Sequence, residues 1–354
     1  MTCPVPSHHG HMTVCAEPPR RDTIRPVPRQ GAHGGGASRV ALSDWTSAMW
    51  RAEATVHDVN ADGRFAPSPT GTLHLGNLRT ALLAWLFARS RDARFLVRME
   101  DLDTGRVRRH FEEEQLHDLA SLGIDWDGDV VRQSERTELY EAALERLDRQ
   151  GLIYECWCTR REIREAASAP HEDRPEGAYP GTCLRLTAAE RAERRASARP
   201  PALRVRADAA GVAFGDRVCG PQEGVVDDFV VRRNDGAFAY NLAVVVDDAD
   251  QRIGEVVRGA DLLDSTPRQL WLGERLGLPA PAHAHVPLIL GDDGERLAKR
   301  HGAVTLAERL ALGETADGVR AALAASVGLC HPDERPTAAE LVERFHPRAL
   351  AVAA

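Results

Sequence analysis

Lysine is nearly missing from this sequence. Of 45 basic residues, 44 are arginine and one, Lys299, is lysine. A GC-rich genome explains a drift from Lys to Arg wherever the protein tolerates it. A position that resisted the drift is one where a compact, mobile ammonium suits better than a planar fork, unless it survived by chance. Long apolar runs are missing too. None approaches the roughly 18 residues that a bilayer span needs, so no membrane segment is expected. The amino terminus is rich in Pro, Gly, His and Arg and lacks the apolar stretch of a secretory signal, which leaves the cytoplasm as the expected compartment. Cysteine is sparse, seven in 354 residues, too few for a disulfide scaffold. Three of the seven, Cys156, Cys158 and Cys183, cluster, and in a cytosolic chain that points to metal before disulfide. Acidic residues outnumber basic ones, for a net charge of −8. That argues against a general nucleic-acid coat and leaves room for a local basic face.

What is present has a clear order. Residues 1–60 show no periodicity and include four glycines between Gly31 and Gly36. They read as a disordered tail or an over-called start, with translation from Met49 as the alternative. From Arg64 the chain alternates. A short strand around Phe65 leads through a Pro/Ser/Gly loop, Ala66 to Thr72, into a helix over 75–89, where Leu78, Leu82, Trp85 and Leu86 share one face. A strand over 94–99, an acidic turn at 100–103, a helix over 111–122 and a helix over 135–150 with Ser134 as its N-cap follow. Such alternation predicts a parallel α/β sheet. Residues 156–224 break the pattern and read as an insertion of short irregular elements. Asn234-Asp235-Gly236 then marks a hairpin turn between extended segments at 228–233 and 237–246. A helix over 266–276, a strand over 285–290, a second turn at Asp292-Asp293-Gly294 and a helical remainder complete the chain, with no internal repeat.

The stretch Ala66-Pro67-Ser68-Pro69-Thr70-Gly71-Thr72-Leu73-His74-Leu75-Gly76-Asn77 joins a strand to a helix. In an open α/β sheet that junction presents a helix N-terminus to phosphate. His74 and Asn77 are three apart and share one face of the first turn. Gly76 removes a side chain where an adenine ring or ribose would press on the backbone. On its own, a histidine at a helix cap is more often structural; within the whole stretch the balance reverses for His74.

With those residues in view, the sequence resembles the class I glutamyl- and glutaminyl-tRNA synthetases. Arg64 to Asn77, RFAPSPTGTLHLGN, is similar to their HIGH region, and Arg296-Leu297-Ala298-Lys299-Arg300 to a degenerate KMSKS loop about 220 residues later. RFLVRMEDLDTGR (94–106), AYNLAVVVDD (239–248) and VRGADLLDSTPR (257–268) are similar to intervening family segments, so the resemblance runs from about Arg64 to Leu310. It implies activation of L-glutamate with ATP, Mg²⁺ accompanying the nucleotide. Arg64 and Arg258 would be the guanidinium partners of the substrate γ-carboxylate, which bidentate forks suit. Glu100 would hold the substrate ammonium, Tyr240 would hydrogen-bond the substrate, and Phe65, Ala66, Pro67 and Ser68 would form the wall. His74, Gly76, Asn77 and Lys299 would meet ATP, with His74 and Lys299 as the catalytic pair. Outside motif context each arginine would read as a surface ion pair.

Three thiolates supply soft ligands for a tetrahedral Zn²⁺ and require a fourth. Synthetases of this kind use the tyrosine of a Y-x-x-x-C arrangement, which implies Tyr179 beside Cys156, Cys158 and Cys183; His171 is the competitor on general chemistry. Between Arg185 and Arg206 seven arginines face two glutamates. In the family such an insertion lies against tRNA, and a solvated helix face explains the run equally well.

The expected fold is α/β, a Rossmann-like parallel sheet of a class I aminoacyl-tRNA synthetase. Its halves at 61–155 and 225–310 carry an inserted zinc-containing acceptor-type subdomain at 156–224 and a short helical C-terminus at 311–354. About 44 residues after Leu310 are too few for an anticodon-reading domain. That implies the shortened branch of the family, which attaches glutamate to the queuosine base in the anticodon of tRNA(Asp). A truncated glutamyl-tRNA(Glu) synthetase and a non-catalytic RNA-binding paralogue are the alternatives, and a monomer is expected.

Overall fold

The computed structural model describes residues 61–159, 161–163, 179–196, 199–291, 294, 297, 302, 304–347 and 350. Lys299, His171, the tail before residue 61 and most of the Asp292-Asp293-Gly294 turn lie outside them. Contacts divide the chain into two units, one of residues 1–58 and 290–296 and the other of residues 59–289 and 297–354. The description below concerns the second.

Its frame is parallel. Strand β1 (Gly63–Phe65) pairs with β2 (Phe95–Met99), and β2 with β3 (Val131–Arg132). Strands β9 (Glu255–Gly259) and β10 (Ala282–Val286) pair in the same sense. The Asp62 carbonyl accepts the amides of Gly254 and Glu255, which seats β9 beside β1. Helix α1 (Leu75–Arg89) lies across β1 and β9. It is buried almost all round, from Leu78 through Ala88, as a helix must be when a sheet covers one side and other helices the opposite one. The covering helices are α2 (Arg109–Ser121) and, from the far end of the chain, α8 (Ala316–Ala325) and α9 (Ala338–Arg344). Phe87 meets Phe345 edge-on at 5.1 Å. Arg79 reaches out of α1 to the Pro287 carbonyl at 2.6 Å, tying the helix to the end of β10.

A second core forms around α3 (Thr137–Arg149), α5 (Tyr240–Asp250) and α6 (Thr266–Arg275), with Tyr140, Leu242, Val246 and Trp271 inside it. Beside it stands an antiparallel sheet of β4 (Ile153–Cys156), β5 (Ala202–Val205) and β8 (Phe229–Arg232). The region between β4 and β8 is more regular than its composition suggested. Strands β6 (Ala210–Asp216) and β7 (Gly220–Val226) form a hairpin, and β6 meets β10 in parallel at Asp216 and His283. That hairpin therefore belongs to the parallel layer as much as to the insertion. Helix α4 (Ala188–Arg195), opened by a Thr187/Glu190 capping box, buries none of its residues. A last helix, α7 (Leu306–Ala311), is capped the same way by Thr305 and Glu308.

Three local expectations change. Residues 237–246 are not a strand: the turn at 234–236 is followed by a single bridge, Arg232 to Phe238, and then by helix α5. The run Val244-Val245-Val246 favours extended backbone locally, but helical spacing puts Leu242, Ala243 and Val246 into the second core and Asp247 and Asp248 onto buried arginines. Ser134 does not cap α3. It sits in a 3-10 turn, Gln133–Glu135, and spends its hydroxyl and amide on Asp101, at 2.5 and 2.8 Å. The strand expected at 285–290 ends at Val286, since Pro287 cannot donate to a ladder.

Candidate active site

The loop between β1 and α1 is fixed from three sides. Gln115 of α2 donates to the carbonyls of Ser68 and Gly71, at 3.1 and 2.7 Å. The Glu100 amide donates to the Pro67 carbonyl at 2.9 Å and the Arg108 amide to that of Pro69 at 3.0 Å. Phe65 buries its ring in the first core, so what it and Ala66 and Pro67 offer the loop is mainly backbone. His74 stands at the N-cap of α1, and its amide donates to the Asn77 side chain at 3.3 Å. Gly76 lies close to that histidine: a Cβ there would stand 3.2 Å from His74 Nδ1, so the ring would have to give by a few tenths of an ångström.

A cleft of about 630 Å³ opens beside this loop. Its walls include Ser68, Glu100 and Tyr240 and also Cys156, Cys158 and Arg204, so it joins the loop to the cysteine cluster. Arg64 and Arg258 do not line it; both are buried behind it, 4% and 5% exposed. Arg258 touches it through Tyr240, whose hydroxyl accepts from Nη1 at 3.4 Å.

The arginines are set in buried polar networks. Arg64 donates to both oxygens of Asp248, at 3.1 and 3.4 Å. Arg98, completely buried on β2, shares the same carboxylate at 2.9 Å and lies 3.5 Å from Asp247. Asp247 in turn accepts from Gln133, Arg136 and Tyr140. Burial disfavours the charged form of Arg98, but Asp248, Asp247 and Glu100 outweigh it and hold its guanidinium above the usual arginine value. Glu100 sits beside this network, 3.9 Å from Arg98. Desolvation outweighs the pull of Arg98 and Arg64 and pushes its carboxyl up to about 7.

Arg258 is held by neutral groups: His285 Nε2 at 3.0 Å, Gln269 Oε1 at 2.7 Å and Thr266 Oγ1 at 2.7 Å. His285 Nδ1 lies 2.6 Å from Asp216. Burial would raise the Asp216 carboxyl, but that contact and the amides of Cys219, His285 and Val218 hold it below the usual range. Sequence reasoning missed Asp216, Asp248, Gln269 and His285. The signals available were two adjacent acids ending an apolar helix and two histidines, 283 and 285, at the spacing that puts both on one face of a strand.

The three cysteines come together as expected, with their sulfurs within 4.8 Å of one another. The Tyr179 hydroxyl lies 3.4 Å from Cys156 Sγ and 3.5 Å from Cys158 Sγ and accepts the Cys183 amide at 2.8 Å. Zn–S bonds of about 2.3 Å in a tetrahedron separate sulfurs by roughly 3.8 Å, so this donor set fits the ion. The Trp157 amide points at Cys183 Sγ at 3.4 Å, an outer hydrogen bond of the kind that steadies a thiolate ligand. Arg204 stacks 3.8 Å above the Tyr179 ring. Of the basic run, Arg204 therefore turns inward, while Arg191, Arg194 and Arg195 ride on exposed α4.

These features define a class I synthetase catalytic fold, and comparison agrees. The family model for class I tRNA synthetases (E and Q), catalytic domain, matches residues 61–329. A glutamyl-Q tRNA(Asp) synthetase of Nocardia farcinica is 57% identical over 84% of this chain and 94% of the relative. One from Symbiobacterium thermophilum is 51% identical over 80% and 91%. A crystal structure of a glutamate tRNA ligase from Elizabethkingia meningosepticum, in complex with its amino acid, superposes with a TM-score of 0.70 at 27% identity. It covers 82% of this chain, and the chain spans 65% of that ligase. The chain belongs to the class I glutamyl- and glutaminyl-type tRNA synthetases and, within them, to the glutamyl-Q tRNA(Asp) synthetases. Among the described residues no helix is long and apolar enough to cross a membrane.

Proposed function

We propose that this protein activates L-glutamate with ATP and transfers the glutamyl group to the queuosine base in the anticodon of tRNA(Asp). The observation that carries the acceptor is the name shared by relatives that match nearly their whole length, at 57% and 51% identity. Glutamate itself is supported by the charges at the cleft, the Glu100 carboxyl in its wall and Arg64 and Arg258 buried behind it. On this reading the γ-carboxylate meets Arg258, with Tyr240 as its edge and Arg64 behind, and Glu100 receives the ammonium. Ser68 and the backbone of Phe65, Ala66 and Pro67 close the wall.

The chemistry needs no nucleophile from the protein. The α-carboxylate oxygen attacks the α-phosphorus of ATP, the bond to the bridging oxygen breaks, and pyrophosphate leaves. Catalysis is then positioning and charge neutralisation. His74 and the α1 N-terminus face the phosphates, Gly76 and Asn77 shape that turn, and Lys299, outside the described residues, meets the leaving pyrophosphate. Mg²⁺ accompanies the nucleotide. A queuosine hydroxyl oxygen next attacks the activated carbonyl, releasing AMP and the hydroxyl proton. Residues 61–155 and 225–310 serve as the two catalytic halves, 156–224 as the inserted subdomain and 311–354 as the helical end. Cys156, Cys158, Cys183 and Tyr179 would hold a structural Zn²⁺, which cross-links the end of β4 to the 179–183 turn.

The test is ATP–pyrophosphate exchange with glutamate, with and without tRNA, followed by charging. Glutamate-dependent exchange without tRNA, and charging of queuosine-containing tRNA(Asp) but not its unmodified transcript, is the expected result. No exchange under either condition overturns the activation step; charging of tRNA(Glu) overturns the acceptor.

A further inference from the structure

The two buried arginines are neutralised unequally. Arg64 is clamped by the Asp248 carboxylate. Arg258 spends its donors on an imidazole, an amide oxygen, two hydroxyls and the Leu262 carbonyl. Among the described residues, no carboxylate forms an ion pair with it. A guanidinium that is 5% exposed with no carboxylate paired to it is held at a cost, and an arriving carboxylate relieves that cost.

Asp216, an acid on that side, is kept one group away. Arginine Nε carries a hydrogen and only donates, so His285 Nε2, 3.0 Å from it, is the acceptor. The His285 proton is then on Nδ1, 2.6 Å from Asp216 Oδ2. Asp216 thus selects the tautomer that can receive Arg258 without itself pairing with it. The amides of Val218 and Cys219 hold Asp216 locally, and the amide and ring N–H of His285, 69 residues on in sequence, hold it from the neighbouring strand. On the opposite edge Gln269 Oε1 accepts from Nη1 at 2.7 Å, while its amide group is anchored on Asn241 at 3.0 Å. That Nη1 is also the atom reaching Tyr240 at the cleft.

We propose that Asp216, His285 and Gln269 are positioning residues that aim Arg258 through neutral acceptors, so that its unspent charge selects an anionic side chain over its amide isostere. This rests on the reading that the cleft takes glutamate. Gln269→Glu is nearly isosteric and places a carboxylate on Nη1; Asn241 can turn its amide to donate to it. His285→Ala removes the acceptor, and His285→Gln restores an acceptor for Nε with a donor toward Asp216.

The experiment measures pyrophosphate exchange by the full chain with glutamate and with glutamine, alongside calorimetric binding of both. In Gln269→Glu the KM for glutamate should rise about tenfold or more, as for a charge partner lost to competition. The KM for ATP should stay near wild type, and the preference for glutamate over glutamine should collapse. His285→Ala should raise the glutamate KM, and His285→Gln should recover most of it. A folded Gln269→Glu variant that keeps the wild-type preference overturns the inference. So does a His285→Gln variant no better than His285→Ala when both remain folded. If His285→Ala does not fold, Gln269→Glu and direct binding still decide. A wild-type chain without glutamate-dependent exchange would instead sink the reading of the site.

Discussion

Arg64 of β1 and Asp248 of α5, 184 residues apart, form a buried two-point ion pair that Arg98 of β2 joins at Oδ1. One carboxylate thus ties the first strand of the fold and its neighbour to a helix from the second half. Removing it takes the carboxylate from buried Arg64 and one of the charge partners from buried Arg98, which keeps Asp247. Breaking one partner of a buried pair costs about 3–5 kcal/mol. Asp248→Ala should therefore lower the unfolding free energy by about that amount in urea titrations, with Asp248→Asn losing less because its oxygen still accepts. A loss below about 1 kcal/mol, the value of a surface pair, would show the network is dispensable.

Glu100 makes the site pH-sensitive. Its carboxyl is pushed up to about 7 by desolvation, only partly offset by Arg98 and Arg64. The folded chain therefore keeps this proton between roughly pH 4.3 and 7, where the unfolded chain has lost it, and the group's contribution to stability declines as pH rises through that window. Binding needs the opposite form, since only the carboxylate pairs with an ammonium. kcat/KM for glutamate should fall as pH drops below about 7, a profile that reports the free enzyme. Glu100→Gln should bind glutamate weakly and lack that inflection. An inflection surviving in the variant would assign it elsewhere.

Much of this was legible in the sequence, for local reasons. Helix α1 could be read residue for residue because Leu78, Leu82, Trp85 and Leu86 repeat at helical spacing between a Pro/Gly loop and an arginine-rich end. The cysteine cluster could be read because thiols at such spacing have few other uses. Helix α5 was hidden because three consecutive valines favour a strand, and only the tertiary partners Tyr140, Arg98 and Arg64 decide otherwise. The partners of the two arginines were hidden for the same reason. Arg64 finds Asp248 184 residues on and Arg258 finds His285 27 residues on, and no local pattern encodes either pairing.

The cysteine cluster predicts metal content. Protein purified without chelator should carry about one zinc per chain by elemental analysis, since structural sites of this donor type bind tightly. Cys183→Ser should lose it, and hydrogen exchange should quicken in β4 and β5, which the cluster backs. Tyr179→Phe keeps the ring beneath Arg204 but removes the hydroxyl, so it should lower zinc affinity and leave β4 folded. If His171→Ala lowers affinity and Tyr179→Phe does not, histidine is the fourth ligand. Metal-free protein with protected β4 amides would dismiss the site.

Gly76 separates stability from activity. It lies in the first turn of α1 at a backbone conformation alanine can adopt, and an alanine there gains about 0.5–1 kcal/mol of helix preference over glycine. Its Cβ, however, would stand 3.2 Å from Nδ1 and 3.4 Å from Cε1 of the His74 ring. At those distances the imidazole has to give by a few tenths of an ångström, which shifts its aim. If His74 faces the phosphates of ATP, Gly76→Ala should slow adenylate formation by about tenfold or more, equivalent to about 1.4 kcal/mol in the barrier. The melting temperature should hold or rise. Single-turnover adenylate formation and thermal unfolding on the same preparation measure both. A variant of wild-type rate would free His74 from any role that depends on its orientation, and one that loses both rate and stability would mark the glycine as a packing requirement alone.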